Sequence, residues 1–178
     1  MKFSTSTRQM IEREHGWCLV ANAWGRHRRV HRYFATVSRL GDGVFWYGLM
    51  ALSVLIDGYA GLLASTHMAA TGLAALILYT VLKRWTRRPR PCARDRRIQA
   101  LVPPLDEFSF PSGHTLHAVA FTIVALAYYP ALSWVLVPFA ASVAVSRVVL
   151  GLHYPSDVLA ATAVGTVLAG LSLHLIGG

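Results

Sequence analysis

Five long apolar segments restrict the fold of this chain more than any other feature. They lie at about residues 43–57, 60–82, 113–129, 131–150 and 156–176, and hardly any charged side chain interrupts them. A helix needs about 20 apolar residues to cross the hydrocarbon core of a bilayer. The segments therefore predict an all-α, integral membrane helical bundle with about five transmembrane helices, of which the first comes from the shortest segment.

The composition agrees with a membrane location. Hydrophobic residues make up 54% of the 178 residues and charged residues only 14%, whereas soluble domains carry about 25% charged residues. Residues 1–40 differ from the rest because they combine tryptophans with arginines. We expect this stretch to be a basic amphipathic interfacial segment on anionic lipid, with a mobile basic tail as the alternative. Residues 41–178 would form the transmembrane domain.

The net charge of +9 comes from basic residues that cluster beside the apolar segments. Eight lie between Lys2 and Arg39, eight more lie between Lys83 and Arg97, and Arg147 is the last. Basic stretches beside membrane spans are ordinary topology signals, so we expect no nucleic-acid partner. Two helical hairpins would bring all of these residues to one face. The positive-inside rule assigns that face to the cytoplasmic side of a bacterial inner membrane.

Three short motifs stand at the ends of apolar segments. In sequence order they read Lys83-x6-Arg90-Pro91, Pro111-Ser112-Gly113-His114 and Ser146-Arg147-x5-His153-x3-Asp157. Phosphoryl transfer requires cations on the phosphate oxygens, a nucleophile and a proton donor for the leaving oxygen. Lys83, Arg90 and Arg147 are candidates for the cations, although each could instead be a topological charge beside a span. Lys83 is the more informative because the chain has fifteen arginines but only two lysines.

The second motif predicts an anion site at a helix start. Ser112 is a suitable N-cap, and Gly113 lets a phosphate approach the free N–H groups of the first turn. The alternative for Ser112 is an ordinary capped helix. His114 adjoins this site and is a candidate general acid and base. His117, one turn later, is expected to have a structural or supporting role, with contact to the substrate as the alternative.

The third motif pairs a histidine with a carboxylate. Pro155 favours a helix start between His153 and Asp157. Asp157 can accept the Nδ1 proton of His153 and leave Nε2 unprotonated toward a substrate, which is the arrangement of an oriented nucleophile. The alternative is that Asp157 merely complements the helix dipole. Asp42 and Asp57 also lie near span ends, and we expect both to be interfacial.

Together the motifs resemble the signature of the type 2 phosphatidic acid phosphatase / haloperoxidase superfamily, in its membrane lipid phosphatase branch. Every fixed position of K-x6-RP, PSGH and SR-x5-H-x3-D is present in order, and the resemblance covers about residues 60–176. It implies catalysis without a metal or other cofactor. It also implies that five residues bind the phosphate, namely Lys83, Arg90, Ser112, Gly113 and Arg147.

The resemblance further implies a role for each catalytic residue. His153 would attack phosphorus and form a phosphohistidine, and Asp157 would hold His153. His114 would protonate the leaving lipid oxygen and then activate water. Members of the family often have six spans and many bacterial members face the periplasm, so five spans with a basic N-terminal segment are a departure.

The sequence therefore predicts an integral membrane lipid phosphatase. Phosphatidylglycerophosphate, phosphatidic acid and undecaprenyl diphosphate are candidate substrates, and the residues do not choose among them or between monophosphate and diphosphate. The oligomeric state leaves no mark on the sequence. Two alternatives stay open: a lipid-to-lipid phosphotransferase that uses the same phosphohistidine, and a non-catalytic lipid-binding membrane protein.

Overall fold

The computed structural model describes residues 5–177, and in this range the regular elements are helices. One pair of residues, Pro89 and Phe108, forms an isolated β-bridge. In chain order the α-helices are α1 (Thr5–Gly25), α2 (Arg28–Arg39), α3 (Phe45–Asp57), α4 (Tyr59–Thr86), α5 (Pro91–Arg94), α6 (Gly113–Tyr128), α7 (Ser133–Val149) and α8 (Pro155–Gly177). A wide π-helical turn, Leu40–Val44, joins α2 to α3, and a 3-10 turn, Pro130–Leu132, precedes α7.

The predicted membrane helices are present. Within residues 5–177, four stretches are long and apolar enough to cross a bilayer, namely Arg28–Asp57, Tyr59–Thr86, Pro130–Val149 and Pro155–Ile176. Helix α6 is apolar too but has only 16 residues. The prediction of an all-α membrane bundle with about five spans is confirmed. The first span begins before its predicted bound, because α3 has only 13 residues and the wide turn Leu40–Val44 continues the helix on its N-terminal side.

Local sequence signals mark where the helices begin and end. Ser112 caps α6, and its hydroxyl accepts from the Thr115 N–H at 3.5 Å. Pro155 opens α8 at a position where a backbone N–H would have no helical partner. Between α7 and α8, Gly151 has a φ of +76°. A β-carbon there would lie 2.5 Å from the Gln99 carbonyl oxygen, so this turn requires glycine.

Small residues let the helices approach each other closely. A β-carbon on Gly61 would lie 1.9 Å from the Ser53 carbonyl oxygen, so α4 touches the backbone of α3. The hydroxyls of Ser53 and Ser65 both donate to the Met50 carbonyl, at 2.8 and 2.9 Å. Close packing of this kind is typical of helices in lipid. Larger side chains fill the core among α3, α4, α6 and α7, including Trp46, Met68, Phe121, Val124, Leu136 and Val143.

The N-terminal helices dock on the end of the bundle that carries all three motifs. Asn22 of α1 exchanges two hydrogen bonds of 2.9 Å with the backbone of Gln99. The described part of residues 1–40 is therefore packed helix rather than a mobile tail. Trp17 and Trp24 point outward, with 61% and 51% of their surface exposed. Exposed tryptophans beside the four arginines of α2 suit a membrane surface, so the interfacial position remains a prediction that this packing supports.

Candidate active site

A cavity of about 790 Å³ opens at the end of the bundle where the motifs meet. Ser112 and Asp157 lie behind its lining. Six of the eight predicted site residues line it, namely Lys83, Arg90, Gly113, His114, Arg147 and His153. The fold thus brings the three motifs together at one site, although a loop separates the first two in the sequence and the helices α6 and α7 separate the last two.

His153 is buried, and its environment determines which ring nitrogen carries the proton. The Nδ1 atom lies 2.6 Å from the Ser109 carbonyl oxygen. A carbonyl only accepts, so Nδ1 carries the proton and Nε2 keeps a free lone pair. On the cavity side, Nε2 accepts a hydrogen bond from Arg90 Nη1 at 3.1 Å. The ring is therefore held in the tautomer that a histidine nucleophile needs.

Asp157 holds His153 less directly than the sequence predicts. Its Oδ2 atom is 3.7 Å from His153 Nδ1, which is beyond hydrogen-bond distance. Ser109 bridges the two, because its hydroxyl donates to Asp157 Oδ2 while its carbonyl accepts from His153. A hydrogen bond of 2.8 Å from the Ser109 N–H to the Arg88 carbonyl keeps the chain in this position. Sequence reasoning missed Ser109, whose only signal is its place two residues before Pro111.

The two cations of the first motif are buried and already paired. Lys83 Nζ lies 2.5 Å from Asp106 Oδ2. Arg90 donates from Nη2 to Asp106 Oδ1 and from Nε to the Asp106 carbonyl, each at 2.9 Å. Burial raises the pKa of Asp106, but Lys83 and Arg90 outweigh burial and hold that pKa below its ordinary value. Asp106 therefore occupies donors that a phosphate would use, and nothing in the sequence indicated this contact.

Arg147 differs from these cations because part of its guanidinium is unsatisfied. Its side chain is almost fully buried, and Nη1 donates to Ser38 Oγ at 2.5 Å. The Nε–H has no hydrogen-bond partner in the described part of the chain. Buried donors are normally satisfied by protein or water. Arg147, which lines the cavity, therefore has hydrogen-bonding capacity that its contacts within the protein do not use.

His114 has a carboxylate partner that sequence reasoning assigned to the membrane interface. Its Nε2 atom makes a hydrogen bond with Asp42 Oδ1. Asp42 belongs to the wide turn, where Gly43 has a φ of 139° that favours glycine. This bend places Asp42 on the cavity wall instead of in the interface. The glycines that flank Asp42 are the only sequence signal of the bend.

The second motif supports the site through its backbone as well. The Ser112 N–H donates to the Asp157 carbonyl at 3.3 Å, which ties the start of α6 to the start of α8. A β-carbon on Gly113 would lie 3.3 Å from the Tyr79 ring, so a larger residue would crowd the cavity wall. His117 contacts two backbone carbonyl oxygens at 3.1 Å and also lines the cavity, so its structural role stays a prediction.

Similar sequences come from one family. The PAP2 superfamily model matches residues 61–177. The undecaprenyl-diphosphatase BcrC of Bacillus subtilis is 31% identical over 134 residues, which cover 70% of this chain and 65% of the relative. The undecaprenyl-diphosphatase of Sulfolobus acidocaldarius is 31% identical over 140 residues, which cover 78% and 67%. The chain spans about two thirds of the length of these relatives.

Two solved structures share the fold. The transmembrane PAP2 type phosphatidylglycerolphosphate phosphatase from Bacillus subtilis superimposes with a TM-score of 0.76 at 24% identity, covering 98% of this chain and 88% of that one. LpxE of Aquifex aeolicus superimposes with a TM-score of 0.74 at 22% identity, covering 88% and 92%. At these identities the likeness establishes the fold, and the match to the family model establishes membership. The chain belongs to the PAP2 superfamily.

Proposed function

We propose that the protein is an integral membrane lipid phosphatase that hydrolyses a phosphomonoester or diphosphate through a phosphohistidine. The observation that carries the proposal is the unprotonated Nε2 of His153 beside a cavity that also holds three buried cations. A lipid-binding protein without catalysis would need the cations but not an imidazole held in its nucleophilic tautomer. The relatives, which are named as diphosphatases, support the same class of activity.

The phosphate group would bind among Lys83, Arg90 and Arg147. Arg147 and the backbone at Gly113 offer contacts on the cavity wall. The Asp106 carboxylate must leave Lys83 and Arg90 when the phosphate arrives, since both anions use the same N–H groups. Side-chain cations would then neutralise the charge of the transition state. Residues 5–177 contain no cluster of three or more His, Cys, Asp or Glu side chains that could hold a metal ion.

The chemistry would proceed in two steps. His153 Nε2 attacks phosphorus while the bond to the leaving lipid oxygen breaks, and protonated His114 donates its proton to that oxygen. Asp42 stabilises the charged ring of His114 before this transfer. In the second step neutral His114 takes a proton from water, which attacks the phosphohistidine and releases inorganic phosphate. Both histidines then return to their starting forms.

The substrate class follows from the apolar part of the cavity wall. Trp46 and Met50 of α3 line it together with Leu73 and Leu76 of α4. Such walls suit an acyl or prenyl chain, while the cations hold the phosphate. The undecaprenyl-diphosphatase relatives favour a prenyl diphosphate, and phosphatidylglycerophosphate and phosphatidic acid are the other candidates.

For sidedness, we propose that the cavity faces the cytoplasm across a bacterial inner membrane, with residues 1–40 on anionic lipid. Of the 17 basic residues, fourteen lie outside the motifs, and their positions in the sequence favour this face. A single cysteine in the 92–106 loop, introduced after replacement of Cys92, can be probed in intact cells with an impermeant thiol reagent. Cys18 would contribute little background, because burial raises its pKa to about 12. Labelling without permeabilisation would place the loop outside.

The activity is tested with purified protein in detergent and a panel of three lipids: phosphatidylglycerophosphate, phosphatidic acid and undecaprenyl diphosphate. We expect release of inorganic phosphate from at least one of them with water as the only acceptor. His153→Gln, which keeps the size and polarity of the side chain, is the matched control and should release none. Release that requires an added acceptor lipid would instead identify a phosphotransferase. A folded protein that acts on no lipid of the panel would contradict the proposal.

A further inference from the structure

A second set of charged contacts lies behind the cavity and joins the N-terminal helix to His153. Its members are Glu14 of α1 and Arg88, which follows α4; neither is a fixed position of the three motifs. We infer that Glu14 and Arg88 are positioning residues, which hold the Asp157 carboxylate and, through Ser109, the His153 ring. This inference deepens the proposed function and rests on it.

Arg88 bridges two carboxylates with the two ends of its guanidinium. Its Nη1 donates to Asp157 Oδ1 at 2.6 Å, and its Nη2 donates to Glu14 Oε2 at 2.9 Å. The guanidinium also lies over the Tyr154 ring, 4.1 Å from the centroid. A guanidinium that is hydrogen-bonded at both ends and stacked on an aromatic ring has little freedom to rotate. Arg88 therefore fixes the direction of the Asp157 carboxylate.

Glu14 holds the start of α8, which is the turn that carries Asp157. Its Oε1 atom accepts from the Ser156 N–H at 2.8 Å. The first N–H groups of a helix have no partner within the helix, and a carboxylate there also complements the helix dipole. Glu14 thus caps, from another helix, the turn that carries Asp157. Glu14 is only 8% exposed, so its carboxylate is largely shielded from bulk water.

The contacts continue without a gap to the nucleophile. Arg88 satisfies Asp157 Oδ1, while the Ser109 hydroxyl and the Tyr154 N–H satisfy Oδ2. The Ser109 carbonyl accepts the Nδ1 proton of His153 at 2.6 Å. Asp157 is fully buried, and a buried carboxylate that loses its cation is strongly destabilised. Without Arg88 the carboxylate would seek another proton or cation, and His153 is 3.7 Å away.

This arrangement makes α1 part of the site although α1 lies outside residues 61–177, which the family model matches. A comparison of two adjacent residues of α1, Glu14 and His15, can distinguish this positioning role from simple docking of the helix. His15 also anchors α1, through a 2.8 Å contact with Asp95, but it does not touch Arg88 or Asp157. A docking role would make Glu14 and His15 equivalent, whereas a positioning role makes only Glu14 important for turnover.

The first experiment measures kcat and KM on the most active lipid of the panel for two matched pairs of variants. Glu14→Gln is compared with His15→Gln, and Arg88→Gln with Arg87→Gln, an exposed neighbour whose Nε bonds only to the Arg84 carbonyl. We expect kcat to fall roughly 10- to 100-fold in the first member of each pair, because a misplaced nucleophile costs rate. KM should change by less than about threefold, since the phosphate-binding cations are intact. Equal losses within a pair would overturn the inference.

The second experiment does not depend on activity. In protein with isotope-labelled histidine, the ring nitrogen resonances of His153, assigned with His153→Gln, report its tautomer and hydrogen bonds. We expect Glu14→Gln and Arg88→Gln to shift them, and His15→Gln and Arg87→Gln to leave them in place. Unshifted resonances in the first two variants would overturn the inference. A wild-type protein without lipid phosphatase activity would refute the proposed function, and the resonances would still decide on the contacts.

Discussion

Two polar clusters in this bundle have opposite characters. The ionic cluster surrounds the cavity and contains the motif cations, the two histidines proposed to be catalytic and their carboxylate partners. The neutral cluster lies within the helices and consists of His67, Thr71, Tyr128 and Ser172. In the neutral cluster, His67 contacts Tyr128 at 2.9 Å and Ser172 at 2.6 Å, and Thr71 contacts Ser172 at 2.7 Å. Each member therefore has a partner inside the protein.

The ionic cluster is open by comparison. Arg147 keeps a buried Nε–H without a partner among the described residues, and the Asp106 side chain that neutralises Lys83 and Arg90 is 39% exposed. A closed cluster stabilises helix contacts in lipid, while an open one retains capacity for a ligand. In this bundle, a buried donor with unused hydrogen-bonding capacity is a sign of a candidate site where its residue also lines a cavity, as Arg147 does.

The largest effect should come from removing the nucleophile of the ionic cluster. We expect His153→Ala to lower kcat by about 10⁴-fold or more while the melting temperature in detergent stays near that of the wild type. Asp157→Asn should keep more activity, since the ring remains and Ser109 still accepts its Nδ1 proton. Phosphate release can be measured for both variants with equal amounts of protein. Substantial turnover by His153→Ala would rule out the phosphohistidine route.

A smaller loss is expected from Lys83→Arg, which keeps the charge but changes its shape. Lys83 Nζ is a point charge that lies 2.5 Å from Asp106 and 5.3 Å from the centre of the Tyr79 ring. The buried space between these two groups does not match the planar guanidinium of an arginine. We expect kcat/KM to fall about tenfold or more. Arg87→Lys, at an exposed position on the same side, is the control. Near-normal kinetics for Lys83→Arg would mean that Lys83 does not bind the phosphate and serves only as a basic residue that sets membrane topology.

These two predictions use residues that the sequence already identified. The sequence could identify them because the signals that mark them lie within short segments. Apolar runs, the Ser112 cap and the fixed spacings of the motifs are properties of short segments, so the helices and the motif residues could be read from the sequence. Asp42 lies 72 residues from His114 in the chain, and Glu14 lies 74 residues from Arg88. Such partners depend on how α1, the wide turn and the 95–112 loop pack, which no short segment encodes.

The neutral cluster should respond in the opposite way to the ionic one. His67→Phe removes two hydrogen bonds and leaves Tyr128 and Ser172 without that partner. We expect a loss of about 1 kcal/mol in the free energy of unfolding, the usual size for hydrogen bonds between membrane helices. The kcat and KM of this variant should stay within about twofold of the wild type. A large loss of activity at unchanged stability would mean that the neutral cluster communicates with the cavity.

The smallest effect is expected from metal removal. Side chains, not a bound cation, are proposed to neutralise the phosphate charge. Activity should therefore be the same before and after incubation with excess chelator, measured on a lipid of the panel. The control is a magnesium-dependent phosphatase inactivated in the same buffer. Activity that returns only on addition of magnesium would point to another class of phosphatase.

The turn at Gly151 has a consequence for how this family of sequences can vary. The Arg147 carbonyl accepts the N–H groups of both Leu152 and His153, at 3.0 and 3.1 Å, so the interval between Arg147 and His153 is one helix termination of fixed length. An insertion or deletion there would keep Arg147 and His153 in the sequence but would rotate one relative to the other. The two side chains would then no longer point into the same cavity. A library of loop lengths should contain no active member besides the native one. A library of side chains at the same turn should accept only glycine at Gly151 and only apolar residues at the buried Val149, Leu150 and Leu152.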